Sequence, residues 1–163
     1  MHAVGSTLPA ITIPPTPGLC DTPTPLANLL AMGPMVLYSY PADNTPLCTR
    51  QACIVRDTMR ELASELHQSG LRVVAISPQG RTSHDRFAQR HELGFPIIAD
   101  ENKHILRALD ALGPLGIPRR VTYLIDRDGR VLDAIAADVR LSRHRHFLER
   151  ASSYVRDHGS PSN

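Results

Sequence analysis

Apolar residues along this chain alternate between two patterns. Some form short continuous runs, and others recur every three or four positions. Met35-Val36-Leu37-Tyr38-Ser39-Tyr40, closed by Pro41, is a near-continuous run and predicts a strand buried on both faces. Leu71 to Ser77, ended by Pro78, and Phe95 to Ala99 read the same way. After the first run, Cys48, Ala52, Val55, Met59, Leu62 and Leu66 are spaced 4, 3, 4, 3 and 4 apart, which is one face of a helix. Thr45 is a good N-cap for that helix, Pro46 suits its first position, and Gly70 is its stop. Further helices are expected over Ser83 to Glu92, stopped by Gly94, and over Lys103 to Leu112, closed by Gly113 and Pro114.

Val121–Ile125 and Val131–Ile135 flank Asp126-Arg127-Asp128-Gly129, a hairpin signal. Ser142 to His158 predicts a last helix with Phe147, Leu148, Ala151, Tyr154 and Val155 on its apolar side, and 159–163 reads as a tail. Residues 1–34 are proline-rich, with a short edge strand at Ile11–Ile13 and a helical turn at Leu26–Ala31. The order is strand, helix, strand, helix, strand, helix, hairpin, helix. That order predicts an α/β fold, a central mixed sheet with helices on both faces. No repeat is visible, and the expectation is one domain over 1–163.

Composition narrows the function classes. A formal net charge of +2, with no basic block interleaved with aromatics, gives no support for nucleic acid as a partner. The longest apolar run, Leu29 to Leu37, is broken by Gly33 and Pro34 and is too short to span a membrane. No basic region followed by an apolar core marks a signal peptide, so a cytoplasmic location is expected. Aromatics are only 4% with no Trp, so the core must rest on aliphatic side chains. Three cysteines in 163 residues make no disulfide framework and point to catalysis, redox chemistry or metal. His144 and His146 are two apart and share no helical face, and no Cys or His pair has zinc-finger spacing, so no metal or other cofactor is expected.

Cys48 and Cys53 carry the chemistry of interest. Cys48 falls in the first helical turn, where unpaired backbone N–H groups and the positive end of the helix dipole favour thiolate over thiol. Cys53 lies five positions on. In an ideal helix those Cα atoms are roughly 8–9 Å apart, and a disulfide needs about 7 Å or less. A bridge between them therefore requires the first turns of the helix to unwind. Cys20 has no partner nearby in sequence; it is a bystander, an alternative second thiol or an intermolecular partner.

Pro41-x-x-x-Thr45-x-x-Cys48 resembles the active-site signature of peroxiredoxins. The fuller stretch Tyr40 to Thr49, with Ala52-Cys53 and Arg56-Asp57, is similar to the peroxiredoxin Q subfamily, also called bacterioferritin comigratory protein. The similarity continues through Val74-Ala75-Ile76-Ser77-Pro78, Phe95 to Asp100 and Arg120 to Asp126, and covers roughly residues 35 to 136. The chain departs from the pattern in its proline-rich start, in Ser39 where an aromatic is common, and in a short segment around Lys103–Ile117.

The resemblance implies a thioredoxin-like fold and thiol-dependent reduction of hydrogen peroxide and organic hydroperoxides. By matched position Cys48 is the peroxidatic cysteine and Cys53 the resolving one. Thr45 is to hydrogen-bond thiolate and peroxide, Pro41 to shield the site from water, and Arg120 to hold the thiolate and polarise the peroxide. The reductant implied is thioredoxin or a similar dithiol, and the assembly a monomer or weak dimer. Arg119 competes with Arg120, but strand alternation lets only one of them reach the site. Two other readings use the same cysteines: a general thiol–disulfide oxidoreductase or metallochaperone, and a non-enzymatic redox sensor or holdase.

Overall fold

The computed structural model describes residues 1–158; the expected tail lies outside them. Its elements are β1 (Thr12–Ile13), β2 (Thr24–Pro25), α1 (Leu26–Ala31), β3 (Met35–Ser39), α2 (Pro46–Glu61), α3 (Ala63–Ser69), β4 (Arg72–Ser77), α4 (Arg81–His91), β5 (Ile97–Ala99), α5 (His104–Ala108), β6 (Val121–Ile125), β7 (Val131–Ala136) and α6 (Ser142–His158). The main sheet has the order β5-β4-β3-β6-β7. β3 runs parallel to β4 and antiparallel to β6, β4 parallel to β5, and β6 antiparallel to β7. The βα units give the parallel half, and the Asp126–Gly129 turn, with Gly129 at φ 83°, gives the antiparallel half.

Side chains alternate between the two faces, as period two requires. Val36, Tyr38, Tyr40, Val73, Ala75 and Leu124 pack on one face with Cys48, Val55, Phe87, Phe147 and Leu148 from the helices. Met35, Leu37, Val74, Ile76, Val121 and Tyr123 pack on the other. That second face is covered by α1, by α5 and by the proline-rich N-terminal segment. Ile11, Ile13, Leu26, Leu29 and Leu30 are buried there. The segment is also tied to the start of β7, where Gly5 N–H donates to Val131 O and Val131 N–H to Ser6 O, both at 2.8 Å.

Several boundaries differ from the sequence expectation. The long helix is interrupted at Leu62 (φ −98°, ψ 15°), which divides it into α2 and α3; neither proline nor glycine marks the break. Gly70, left-handed at φ 66°, ends α3 as expected. β5 begins at Ile97, because Pro96 has no N–H for the ladder and contributes only its carbonyl, to Ala75 N–H at 3.0 Å. α5 ends at Ala108, and Asp110 then takes a positive φ of 51° that turns the chain away. β1 is two residues and pairs with β2 in a separate small sheet.

Candidate active site

β3 ends at Ser39 and the chain passes through Tyr40 to Thr45 into α2, so the loop and the helix start stand at the carboxyl edge of the sheet. Thr45 takes the extended N-cap backbone, at φ −78° and ψ 147°. Its side chain does not cap the helix, contrary to the expectation. The hydroxyl turns back and donates to Ala42 O at 3.3 Å. The first helical amide with a backbone partner is that of Thr49, to Thr45 O at 2.9 Å. Among the described residues the amides of Leu47 and Cys48 have no acceptor, so they remain available to an incoming electronegative atom.

Cys48 is 2% exposed and packs beneath the helix start against Tyr38 and Tyr40. Its Sγ accepts a hydrogen bond from Arg120 Nη1 at 3.1 Å. The same nitrogen donates to Gln51 Oε1 at 3.2 Å. Arg120 Nε donates to Asp138 O at 3.1 Å. The guanidinium is therefore buried and aimed at sulfur, with further protein acceptors around it. Arg119 points elsewhere, 42% exposed and 3.6 Å from Asp138 Oδ2.

A second set of polar groups lies behind Arg120. His144 Nε2 meets Ala137 O at 3.2 Å, and its Nδ1 meets Thr122 Oγ1 at 3.1 Å. Nε2–H therefore donates to the carbonyl, and Nδ1 accepts from the hydroxyl. Burial pushes the His144 pKa down, and the charges of Arg120 and Arg143 act in the same direction. The Gln51 amide nitrogen approaches this ring at 3.4 Å. Neither Gln51 nor His144 is among the site residues expected from sequence. Gln51, three positions after Cys48 on the same helical face, was the findable one.

The loop before Thr45 has its own anchor. The Asp43 carboxylate accepts from Tyr40 Oη at 2.5 Å, from His84 Nδ1 at 2.7 Å and from Ser83 Oγ at 2.7 Å. Gln79 Oε1 accepts from the Asp43 N–H. Burial alone would raise the Asp43 pKa. Hydrogen bonds from His84, Tyr40 and Ser83 outweigh it and hold the carboxyl below its usual value. These partners tie the loop to the start of α4. Asn44 follows with a positive φ of 61°. Pro41 is half-buried beside this anchor.

Cys53 is partly exposed and lies on the same uninterrupted helix as Cys48. All three cysteines are free thiols, and the intact helix keeps the two in α2 beyond bridging distance. Cys20 packs on the opposite face of the sheet, its Sγ 3.4 Å from Pro14 O. In this conformation the sheet stands between it and Cys48. Among the described residues no three His, Cys, Asp or Glu side chains converge as a metal site, and no helix is long and apolar enough to cross a membrane.

Known proteins resemble this chain in sequence and in fold. A model described as the AhpC/TSA family matches residues 4–134. The chloroplastic peroxiredoxin Q of Sedum lineare is 36% identical over 131 residues, 78% of this chain and 65% of that protein. That of Gentiana triflora is 38% identical over 102 residues, 60% of this chain and 44% of its own length. This chain thus spans roughly half the length of the chloroplastic relatives. A putative peroxiredoxin of Mycobacterium tuberculosis is 34% identical over 132 residues, 78% of this chain and 83% of that protein. Among solved structures, the peroxidoxin BcpB of Mycobacterium tuberculosis superposes with a TM-score of 0.79 at 30% identity, covering 98% of this chain and 100% of that one. Peroxiredoxin Q of Xanthomonas campestris, at 24% identity, shares the fold with a TM-score of 0.73 over 92% of each chain. The fold is thus the thioredoxin-like α/β arrangement expected. With a family match that runs through the Cys48 helix and into β7, the chain belongs to the AhpC/TSA family, on its peroxiredoxin Q branch.

Proposed function

We propose that the chain is a thiol-dependent peroxidase acting on hydrogen peroxide and organic hydroperoxides, with Cys48 as nucleophile. The observation that carries this is the buried Arg120 guanidinium, 3.1 Å from Cys48 Sγ. A fixed cation and donor beside a sulfur stabilises negative charge there and on an oxygen that approaches it. The unpartnered amides at the start of α2 add donors on the same side.

The Cys48 thiolate attacks one peroxide oxygen. The O–O bond breaks, and the second oxygen leaves with the bonding pair and takes a proton, as water or alcohol. Cys48 becomes a sulfenic acid, oxidised by two electrons. Cys53 thiolate then attacks the Cys48 sulfur, hydroxide leaves and is protonated to water, and a disulfide forms. A thioredoxin-type dithiol returns both cysteines to thiols. Exposed Thr45, three residues before Cys48, would give up its contact with Ala42 O and turn its hydroxyl to the bound peroxide, and Pro41 would close the site on the loop side. A groove of about 470 Å³ begins at Leu47 and mixes apolar Ile54, Val139 and Leu141 with charged Arg50, Asp57, Glu61, Arg140 and Arg145; its apolar part is where the organic end of a larger hydroperoxide would lie. We place the cycle in the cytoplasm, whose thiol pool keeps such cysteines reduced, with the chain acting as a monomer or weak dimer.

The test is peroxide consumption coupled to thioredoxin. Wild-type protein is expected to turn over and Cys48→Ser to be inactive. Undiminished turnover by Cys48→Ser would remove the proposal.

A further inference from the structure

Arg120 has an unusual backbone environment. Two peptide units meet at its Cα, and all four of their polar groups are hydrogen-bonded. On the β7 side, Arg120 N–H donates to Asp138 Oδ1 at 3.1 Å, and Arg120 O accepts from Ala137 N–H at 3.0 Å. On the β3 side, a single side-chain oxygen serves both units. Ser39 Oγ–H donates to Arg119 O at 2.7 Å, and Ser39 Oγ accepts from Val121 N–H at 3.1 Å. Val121 O lies farther from it, at 3.3 Å. A hydroxyl has one proton, so the shorter contact to Arg119 O takes it.

This happens where the sheet runs out. The β3–β6 ladder has Tyr38 opposite Thr122 as its last pair. Beyond it the backbone of β3 no longer reaches the Arg119–Val121 segment, and the buried Ser39 hydroxyl stands in for the missing ladder bonds. With both flanking peptide planes held at both edges, φ and ψ of Arg120 are fixed. The guanidinium then leaves the strand in one direction, toward Cys48 Sγ.

We propose that Ser39 is a positioning residue for the peroxidase reaction: its hydroxyl pins the peptides on either side of Arg120 and so aims the guanidinium at the Cys48 sulfur. The inference rests on the reading of Arg120 given above. Ser39 touches neither sulfur nor peroxide and acts only through Arg120. Removing its hydroxyl frees one carbonyl and one N–H and lets the arginine turn away from sulfur, at an unchanged overall fold. Displacements of this kind cost reaction rate steeply.

Ser39→Thr and Ser39→Val test it, because the two side chains match in shape and differ in the hydroxyl. Two quantities are read for each folded variant. One is the second-order rate of Cys48 oxidation by hydrogen peroxide. The other is the pH midpoint of Cys48 alkylation, followed on the Cys48 peptide by mass spectrometry. Ser39→Thr is expected within about threefold of wild type, and Ser39→Val about tenfold slower with its alkylation midpoint moved to higher pH. Identical rates and midpoints for Thr and Val would overturn the proposal.

Arg120→Gln and the double variant Ser39→Val/Arg120→Gln separate this proposal from the reading beneath it. If Ser39 acts through Arg120, the double variant is no slower than Arg120→Gln alone. A further tenfold loss in the double variant overturns the positioning role while Arg120 keeps its own. Wild-type rates in Arg120→Gln overturn the reading of Arg120 itself. Ser39→Ala, smaller than serine and without the hydroxyl, gives the same comparison if the larger side chains do not fit the buried site.

Discussion

Arg120 Nη1 sits 3.1 Å from Cys48 Sγ, although 72 residues separate the two along the chain. The contact joins the first turn of α2 to the residue just before β6, and both residues are buried. In the proposed reaction the cation lies at the atom that carries negative charge before attack. The first prediction concerns that pair. Arg120→Gln is expected to slow Cys48 oxidation by hydrogen peroxide by about a hundredfold, the scale of losing one preorganised donor. Arg120→Lys should recover only part of that rate, because a point charge cannot hold Cys48, Gln51 and Asp138 together. Stopped-flow or competition kinetics with peroxide measures both, and a rate equal to wild type in Arg120→Gln would contradict the role.

The second prediction is that oxidation unwinds the beginning of α2. Cys48 and Cys53 share an intact helix in the reduced protein and cannot bridge there. Amides 49–54 should therefore be protected from hydrogen exchange when reduced and lose protection when oxidised. Asp43, held by Tyr40, His84 and Ser83, should stay fixed and mark the near end of the moving segment. Equal protection in both forms would contradict this. A Cys48–Cys20 bridge in the peptide map of the oxidised protein would remove Cys53 from the cycle.

Asp43 also predicts a pH dependence. Its folded-state pKa lies below the usual carboxylate value, because three hydrogen bonds outweigh burial. A depressed carboxylate contributes stability above its unfolded pKa, near 4, and loses it as pH falls through the folded value. The Tm of the wild type should therefore drop on acidification below about pH 4. Asp43→Asn is expected to be less stable at neutral pH by about 1–3 kcal/mol and to lack that part of the acid slope. A Tm series on the two proteins decides it; parallel curves would show that Asp43 is not the linked group.

His144 acts at milder pH. Burial, assisted by Arg120 and Arg143, holds its folded-state pKa below the ordinary value near 6.5. Its contribution is full above that value and declines as pH falls through the lower folded one, because the unfolded chain then binds the proton more readily. His144→Gln should flatten the stability curve as pH falls below about 6.5. A curve as steep as the wild type below that pH would contradict the assignment.

Local patterns along the chain carry much of the fold. The near-continuous apolar run from Met35 to Tyr40 marks a strand packed on both faces. The 3–4 spacing from Cys48 marks the helix that buries the thiol. Alternation separates Arg120 from Arg119, and Arg120 lies on the face of Thr122 and Leu124. What stayed hidden is non-local. Asp43 and His84 are 41 residues apart, and Gln51 and His144 are 93 apart; no period or cap records either contact. Ser39 breaks an apolar run, and its use is evident only with β6 alongside. The Thr45 side chain misled for a related reason. Its sequence context is that of a cap, but the nearby Ala42 carbonyl takes the hydroxyl instead.

Sulfenic acid trapping in Cys53→Ser tests the central claim most directly. With the second thiol removed, one equivalent of hydrogen peroxide should leave Cys48 as a sulfenic acid, and dimedone should label the Cys48 peptide stoichiometrically. Label on Cys20, or peroxide consumption with Cys48 recovered as free thiol, would contradict the account.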